Sequence, residues 1–150
     1  MSKVTLRKSD VKEFNEKIKV FGVELKKTDK VEIVDETAVL VNNKAEFFYV
    51  GDKVVPALKC VLEGKVTLKK IVVDMGAVKF VASGADIMRP GIKSIDETIL
   101  LHDFVAVVDE KNQKPLAIGQ ALFNASEMQQ MTTGKAIKNL HFVGDKLWNM

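Results

Sequence analysis

Asp74-Met75-Gly76-Ala77-Val78-Lys79-Phe80-Val81-Ala82-Ser83-Gly84-Ala85-Asp86-Ile87-Met88-Arg89-Pro90-Gly91 reads as a short amphipathic helix that runs into a loop bracketed by two glycines. Asp74 is placed to cap the helix, and Ala77, Phe80 and Val81 recur at i, i+3 and i+4 as its apolar face. Gly84 can supply the left-handed residue that ends it. Lys79 falls off the apolar face, toward the loop that carries Arg89. A basic side chain beside a loop shaped by Gly and Pro, with main-chain N–H groups exposed, suits phosphate.

Upstream, residues 66–73 read as a strand feeding this helix. Downstream, an irregular stretch over 86–102 precedes two runs, 104–108 and 116–123, that are apolar on both faces and read as central strands. Asn124 and Glu127 form a capping-box pair for a helix through Met131. Residues 135–143 then alternate with Ala136, Lys138, Leu140 and Phe142 on one face. Many short strands with brief helical interruptions point to a small, partly open barrel, with Trp148 packing it closed.

The first 65 residues have a different texture. A strand at 4–6 precedes a helix N-capped by Ser9, with Val11, Phe14, Ile18 and Phe21 stepping by 3, 4 and 3 and Gly22 ending it. Strand-like runs at 23–25, 30–34 and 38–41 follow. Asn42-Asn43 is a tight turn into 45–50, which makes a hairpin. Pro56 fits the first turn of a second helix with Leu58, Val61 and Leu62 inward, and Gly64 ends it.

The chain has 150 residues, 47% hydrophobic and 29% charged, with a formal net charge of +3. That is the balance of a globular protein of one domain or two small ones, and any nucleic-acid site must come from local clustering of Lys and Arg. One cysteine, Cys60, excludes an internal disulfide and a Cys-based zinc cluster. Its apolar surroundings point to a buried, inert thiol. No 18-residue apolar run and no signal-peptide pattern is present, so a cytoplasmic protein without a membrane partner is expected.

Catalytic signatures are missing: there is no GxxxxGK[ST], GxGxxG, HExxH or GxSxG. Gly64-Lys65 and Gly134-Lys135 lack the flanking residues of a phosphate-binding loop and read as helix ends or turns. His102 and His141 have no second His or Cys at metal-ligand spacing, so no metal is expected. The acidic pairs Asp35-Glu36, Asp96-Glu97 and Asp109-Glu110 lie in turn-like sequence and read as solvated carboxylates.

The helix-to-loop stretch, with Phe104-Val105-Ala106-Val107-Val108-Asp109-Glu110 and Pro115-Leu116-Ala117-Ile118-Gly119-Gln120-Ala121, resembles the PUA domain, the RNA-binding module named after pseudouridine synthases and archaeosine transglycosylases. The closing run Gly134-Lys135-Ala136-Ile137-Lys138-Asn139-Leu140-His141-Phe142-Val143-Gly144-Asp145-Lys146-Leu147-Trp148 is similar to the ending of the malignant-T-cell-amplified-sequence proteins and their archaeal relatives. The resemblance implies an α+β chain: a small mixed α/β pre-PUA domain over 1–65, then a PUA-type pseudo-barrel of mixed strands with short helices over 66–150. It implies a non-catalytic RNA-binding protein that recognises structured RNA, tRNA or rRNA, in translation, without cofactor. The alternative is an accessory subunit that guides a separate RNA-modification enzyme. Lys79, Gly84, Arg89, Pro90 and Gly91 occupy the family's motif positions, and Lys93, Lys135, Lys138 and Lys146 are nearby basic candidates. Partners implied are the RNA itself and the small ribosomal subunit or an initiation-factor-like protein.

Overall fold

The computed structural model describes residues 1–150, which form two compact units: Met1–Thr67 with Lys146–Met150, and Leu68–Asp145. The five C-terminal residues therefore belong to the first unit, which differs from the expected division of 1–65 and 66–150.

The first unit is a five-stranded antiparallel meander: β1 (Lys3–Thr5), β2 (Val31–Val34), β3 (Ala38–Val41), β4 (Lys44–Val50) and β5 (Lys53–Pro56), in that spatial order. Helix α1 (Lys8–Ile18) buries Val11, Phe14 and Ile18, as its spacing requires, with Phe14 edge-on to Phe47 at 5.6 Å between ring centroids. It begins one residue before Ser9, because Asp10 accepts from the Arg7 N–H at 3.0 Å and supplies the cap. Gly22 ends the helical run at φ +74°, and Asn42 and Asn43, at φ +51° and +71°, make the β3–β4 turn. Residues 23–25 form no strand. The Asn15 side chain holds them instead, donating to the Leu25 carbonyl and accepting from the Leu25 N–H. Pro56 closes β5 and does not open a helix; α2 (Leu58–Leu62) starts after Ala57 and buries Leu58 and Cys60, leaving Leu62 37% exposed. Trp148 does not close the barrel of the second unit. Its ring lies 5.2 Å from Lys59 Nζ, and Leu147 and Met150 pack against Val34, Ala38, Leu40 and Ala45.

The second unit is a near-closed, mixed-strand barrel. Its strands are β6 (Lys70–Val73), β7 (Ile87–Met88), β8 (Ile92–Ile95), β9 (Phe104–Asp109), β10 (Pro115–Ala121) and β11 (Lys135–Phe142), in the order β7-β11-β10-β9-β6-β8. Only β6 and β9 run parallel. The stretch expected to be irregular, 86–102, supplies both edge strands, joined by a 3₁₀ turn at Arg89–Gly91, so one segment brings the two open edges together. Such short edges are hard to see in sequence, because each has two to four residues and no full period. β9 and β10 are buried on both faces, as their unbroken apolar runs demand. In β11 the simple alternation fails: Ala136 and Ile137 are both buried, and so is His141. The register shifts against β7 between Lys135 and Ile137, and against β10 between Asn139 and His141. Each bulge moves the following side chains to the other face.

Candidate nucleic-acid interface

Helix α3 (Met75–Val81) starts where Asp74 Oδ1 accepts from Ala77 N–H at 2.8 Å, while Glu110 accepts from Met75 N–H at 2.9 Å. The first turn is thus already occupied by carboxylates. At the other end the amides of Ala82, Ser83, Gly84 and Ala85 all donate to carbonyls of Val78, Phe80 and Val81. The main-chain N–H groups of Ala82, Ser83, Gly84 and Ala85 are thus used up in ending the helix. What this end of the helix offers a ligand is side-chain charge.

Three connections hold the corner in place. Gly84, at φ +95°, lies so close to Phe142 of β11 that a Cβ would sit 2.7 Å from the ring. Asn139, also on β11, donates through Nδ2 to the Val81 and Ala85 carbonyls, and its N–H donates to Asp86 Oδ1 at 2.8 Å. The other Asp86 oxygen pairs with Lys135 at 2.8 Å, which holds that carboxyl below the usual carboxylate range. Sequence reasoning does not single out Asn139, because it follows Lys138 in a strand that mixes polar and apolar residues and nothing local marks its amide. Gly91 packs its Cα on Ala77, where a Cβ would lie 3.0 Å from the Ala77 Cβ, and its carbonyl accepts from Asp74 N–H.

The named residues fall into distinct roles. Lys79 is exposed, with Nζ 5.2 Å from the Phe80 ring; Phe80, read from its spacing as core, is 57% exposed. Lys138 is exposed next to Asn139, and Lys93 is exposed at a bulge of β8. None of these three lysines has a carboxylate within the 4.0 Å of an ion pair. Lys135 is neutralised by Asp86. Pro90 is exposed in the 3₁₀ turn. Arg89 departs from expectation. It is half-buried, its Nε donates to the Met128 carbonyl at 2.6 Å and an Nη to the Ile92 carbonyl at 3.1 Å, while its own N–H donates to the Gly134 carbonyl. The fork that was to grip a phosphate instead ties the closure of the barrel to helix α4 (Ala125–Gln130). Lys146 belongs to the first unit, 4.0 Å from Asp35.

A barrel closed by one bent segment, with a short helix and a glycine loop pinned on the last strand, defines the class, and the PUA domain family matches residues 69–143. A domain of unknown function, DUF1947, matches residues 2–63. The chain belongs to the PUA-domain family that includes Translation machinery-associated protein 20 and the malignant T-cell-amplified sequence proteins. An uncharacterized protein of Methanocaldococcus jannaschii is 44% identical, over 96% of this chain and 93% of its own. Translation machinery-associated protein 20 of Eremothecium gossypii is 31% identical, over 83% and 70%. Human malignant T-cell-amplified sequence 2 is 38% identical over 52% of this chain and 45% of its own. Among solved structures, a hypothetical protein from Pyrococcus horikoshii superposes with a TM-score of 0.81 at 38% identity, covering 99% of this chain and 98% of that one. A chain of an H/ACA RNP bound to a substrate RNA matches 66% of this chain and 31% of its own, with a TM-score of 0.51 and 27% identity.

Proposed function

We propose that the chain is a non-catalytic, cytoplasmic RNA-binding protein of translation, which holds structured RNA, tRNA or rRNA, against the corner formed by the end of α3, residues 82–86 and β11. The observation that carries this reading is that Lys79 and Lys138 stand exposed with no carboxylate partner on two elements that Asn139 and Gly84 lock together. Cations that no carboxylate neutralises lose little on binding phosphate from a rigid support, whereas cations already neutralised, such as Lys135, contribute little. The name of Translation machinery-associated protein 20 supports translation as the setting; the small ribosomal subunit or an initiation-factor-like protein is the partner proposed on the family resemblance. The non-catalytic part rests on the missing catalytic signatures of the sequence, and the one thiol, Cys60, is pushed up to about 12 by burial, which makes it a poor nucleophile.

The likeness to chains of H/ACA particles favours one second reading, an accessory subunit that delivers RNA to a modifying enzyme. Affinity purification of the chain from its own cells distinguishes the two: ribosomal particles support the first, a modification enzyme the second. The direct test is titration with a tRNA transcript at several salt concentrations. Affinity should fall steeply with salt, and Lys79→Ala and Lys138→Ala should each flatten the log–log slope by about 0.7–0.9, one counterion per phosphate contact. Unchanged slopes in both folded variants would remove the corner as the RNA site.

A further inference from the structure

The first unit carries a groove of about 820 Å³ between α1 and residues 24–29. Its floor is apolar: Leu6, Val11 and Leu25, the last fixed by the two hydrogen bonds to Asn15. Lys8, Lys12, Lys26 and Lys27 line it as well, all exposed. Elsewhere in this unit most lysines are engaged. Lys3 and Lys30 pair with Glu32, Lys44 with Glu63, Lys65 with Glu46 and Glu63, and Lys146 approaches Asp35, while Lys17 and Lys59 lie over the Tyr49 and Trp148 rings. Only Lys8, Lys12, Lys19, Lys26, Lys27 and Lys53 are left without such a partner, and four of them converge on the groove. The nearby Asp29 does not neutralise them by pairing: its carboxylate accepts from Lys26 N–H and Asn42 Nδ2, which holds it below the usual carboxylate range.

We propose that this groove docks an acidic polypeptide segment of a partner protein, which sets an apolar side chain on Leu6, Val11 and Leu25 and its carboxylates against Lys8, Lys12, Lys26 and Lys27. Charge complementarity selects an anionic occupant, and the chemistry of the lining selects a peptide over RNA. The lining holds no aromatic ring and no arginine, the groups on which unpaired bases stack. Glu24 and Asp29 also line the groove, where they oppose a continuous phosphate backbone, whereas a peptide can turn its N–H groups toward them. An apolar floor with a charged rim is the arrangement of an anchored peptide site, in which the buried anchor gives affinity and the rim gives orientation and rate.

The test uses the full chain and a fluorescein-labelled peptide, Glu-Asp-Leu-Glu-Asp-Leu-Glu-Asp, followed by fluorescence anisotropy. Saturable binding is expected, weakened about tenfold or more by Lys12→Glu/Lys27→Glu and less than about twofold by Lys19→Glu/Lys53→Glu, which makes the same change of charge outside the groove. Replacing both leucines of the peptide by serine should weaken binding about fivefold or more. Circular dichroism confirms that both variants are folded. Absence of saturable binding, equal loss in the two variants, or indifference to the leucines overturns the proposal. So does the finding that Lys12→Glu/Lys27→Glu weakens binding of an oligouridylate RNA and leaves the peptide untouched. Lys79 and Lys138 are intact throughout, so failure here leaves the RNA reading standing.

Discussion

Replacing Gly84 by Ala tests how the interface corner is held. Two costs add. An L side chain in the left-handed region costs about 1–2 kcal/mol, offset by about 0.4–1 kcal/mol because alanine has less freedom to lose from the unfolded chain. The new Cβ would also stand 2.7 Å from Phe142 Cε1 and 3.0 Å from Cζ, which forces the ring or the loop to move. Overpacking of this kind costs about 1–3 kcal/mol. Gly134→Ala supplies the control: Gly134 has nearly the same backbone, φ +93°, but its nearest neighbour is Met131 Cε at 3.8 Å. The expected losses are about 1 kcal/mol for Gly134→Ala and about 2–4 kcal/mol for Gly84→Ala. Hydrogen exchange of the β11 amides, read by mass spectrometry, should then quicken about 30- to 700-fold in Gly84→Ala and less than about tenfold in Gly134→Ala, since 1.4 kcal/mol is about a factor of ten. Adding Phe142→Leu to Gly84→Ala should cost less than the sum of the two single changes, because the ring that the methyl meets is gone. Equal exchange in the two glycine variants, or strict additivity in the double variant, would refute the claim that Phe142 fixes the loop.

Arg89→Ala should lower stability to urea by about 2–4 kcal/mol, since it strips the Met128 and Ile92 carbonyls of their donors, and Arg89→Lys should not restore it because one ammonium cannot reach both; weaker RNA binding at unchanged stability would show the guanidinium to be a ligand group instead. Asp86 has a folded carboxyl lowered by its bond to Lys135, so its stabilising contribution is present above the unfolded value near 3.8 and is lost as pH falls through the folded one. Urea midpoints of the parent and of Asp86→Asn should therefore converge on acidification below about pH 4. Cys60 should resist Ellman's reagent at pH 8 until the chain unfolds, and because its thiol is raised from 9.0 to about 12, stability should decline as pH rises through that window, where the unfolded thiol ionises first. Rapid labelling of the folded chain would show that the thiol is accessible.

Much of this protein was legible along the chain. Local rules suffice where a residue's own backbone or its near neighbours decide the outcome: Asp74 caps α3, Asn124 and Glu127 box α4, Gly22 and Gly84 adopt positive φ, and Val11, Phe14 and Ile18 turn inward together. The double-sided apolar runs of β9 and β10 announce central strands because both of their faces must be buried. What depends on residues far apart in sequence was not legible. Arg89 carries the same side chain whether it meets phosphate or a carbonyl, and only the return of α4 beside β8 decides that it meets Met128. Phe80 satisfies the spacing of a core residue, yet the barrel presents that side of α3 to solvent. β7 and β8 are too short to display a period and exist because neighbouring strands offer them hydrogen bonds. Composition and periodicity record which groups avoid water, but the partner each group finds is set by chain geometry, and that geometry made the Arg89 guanidinium a brace between two carbonyls.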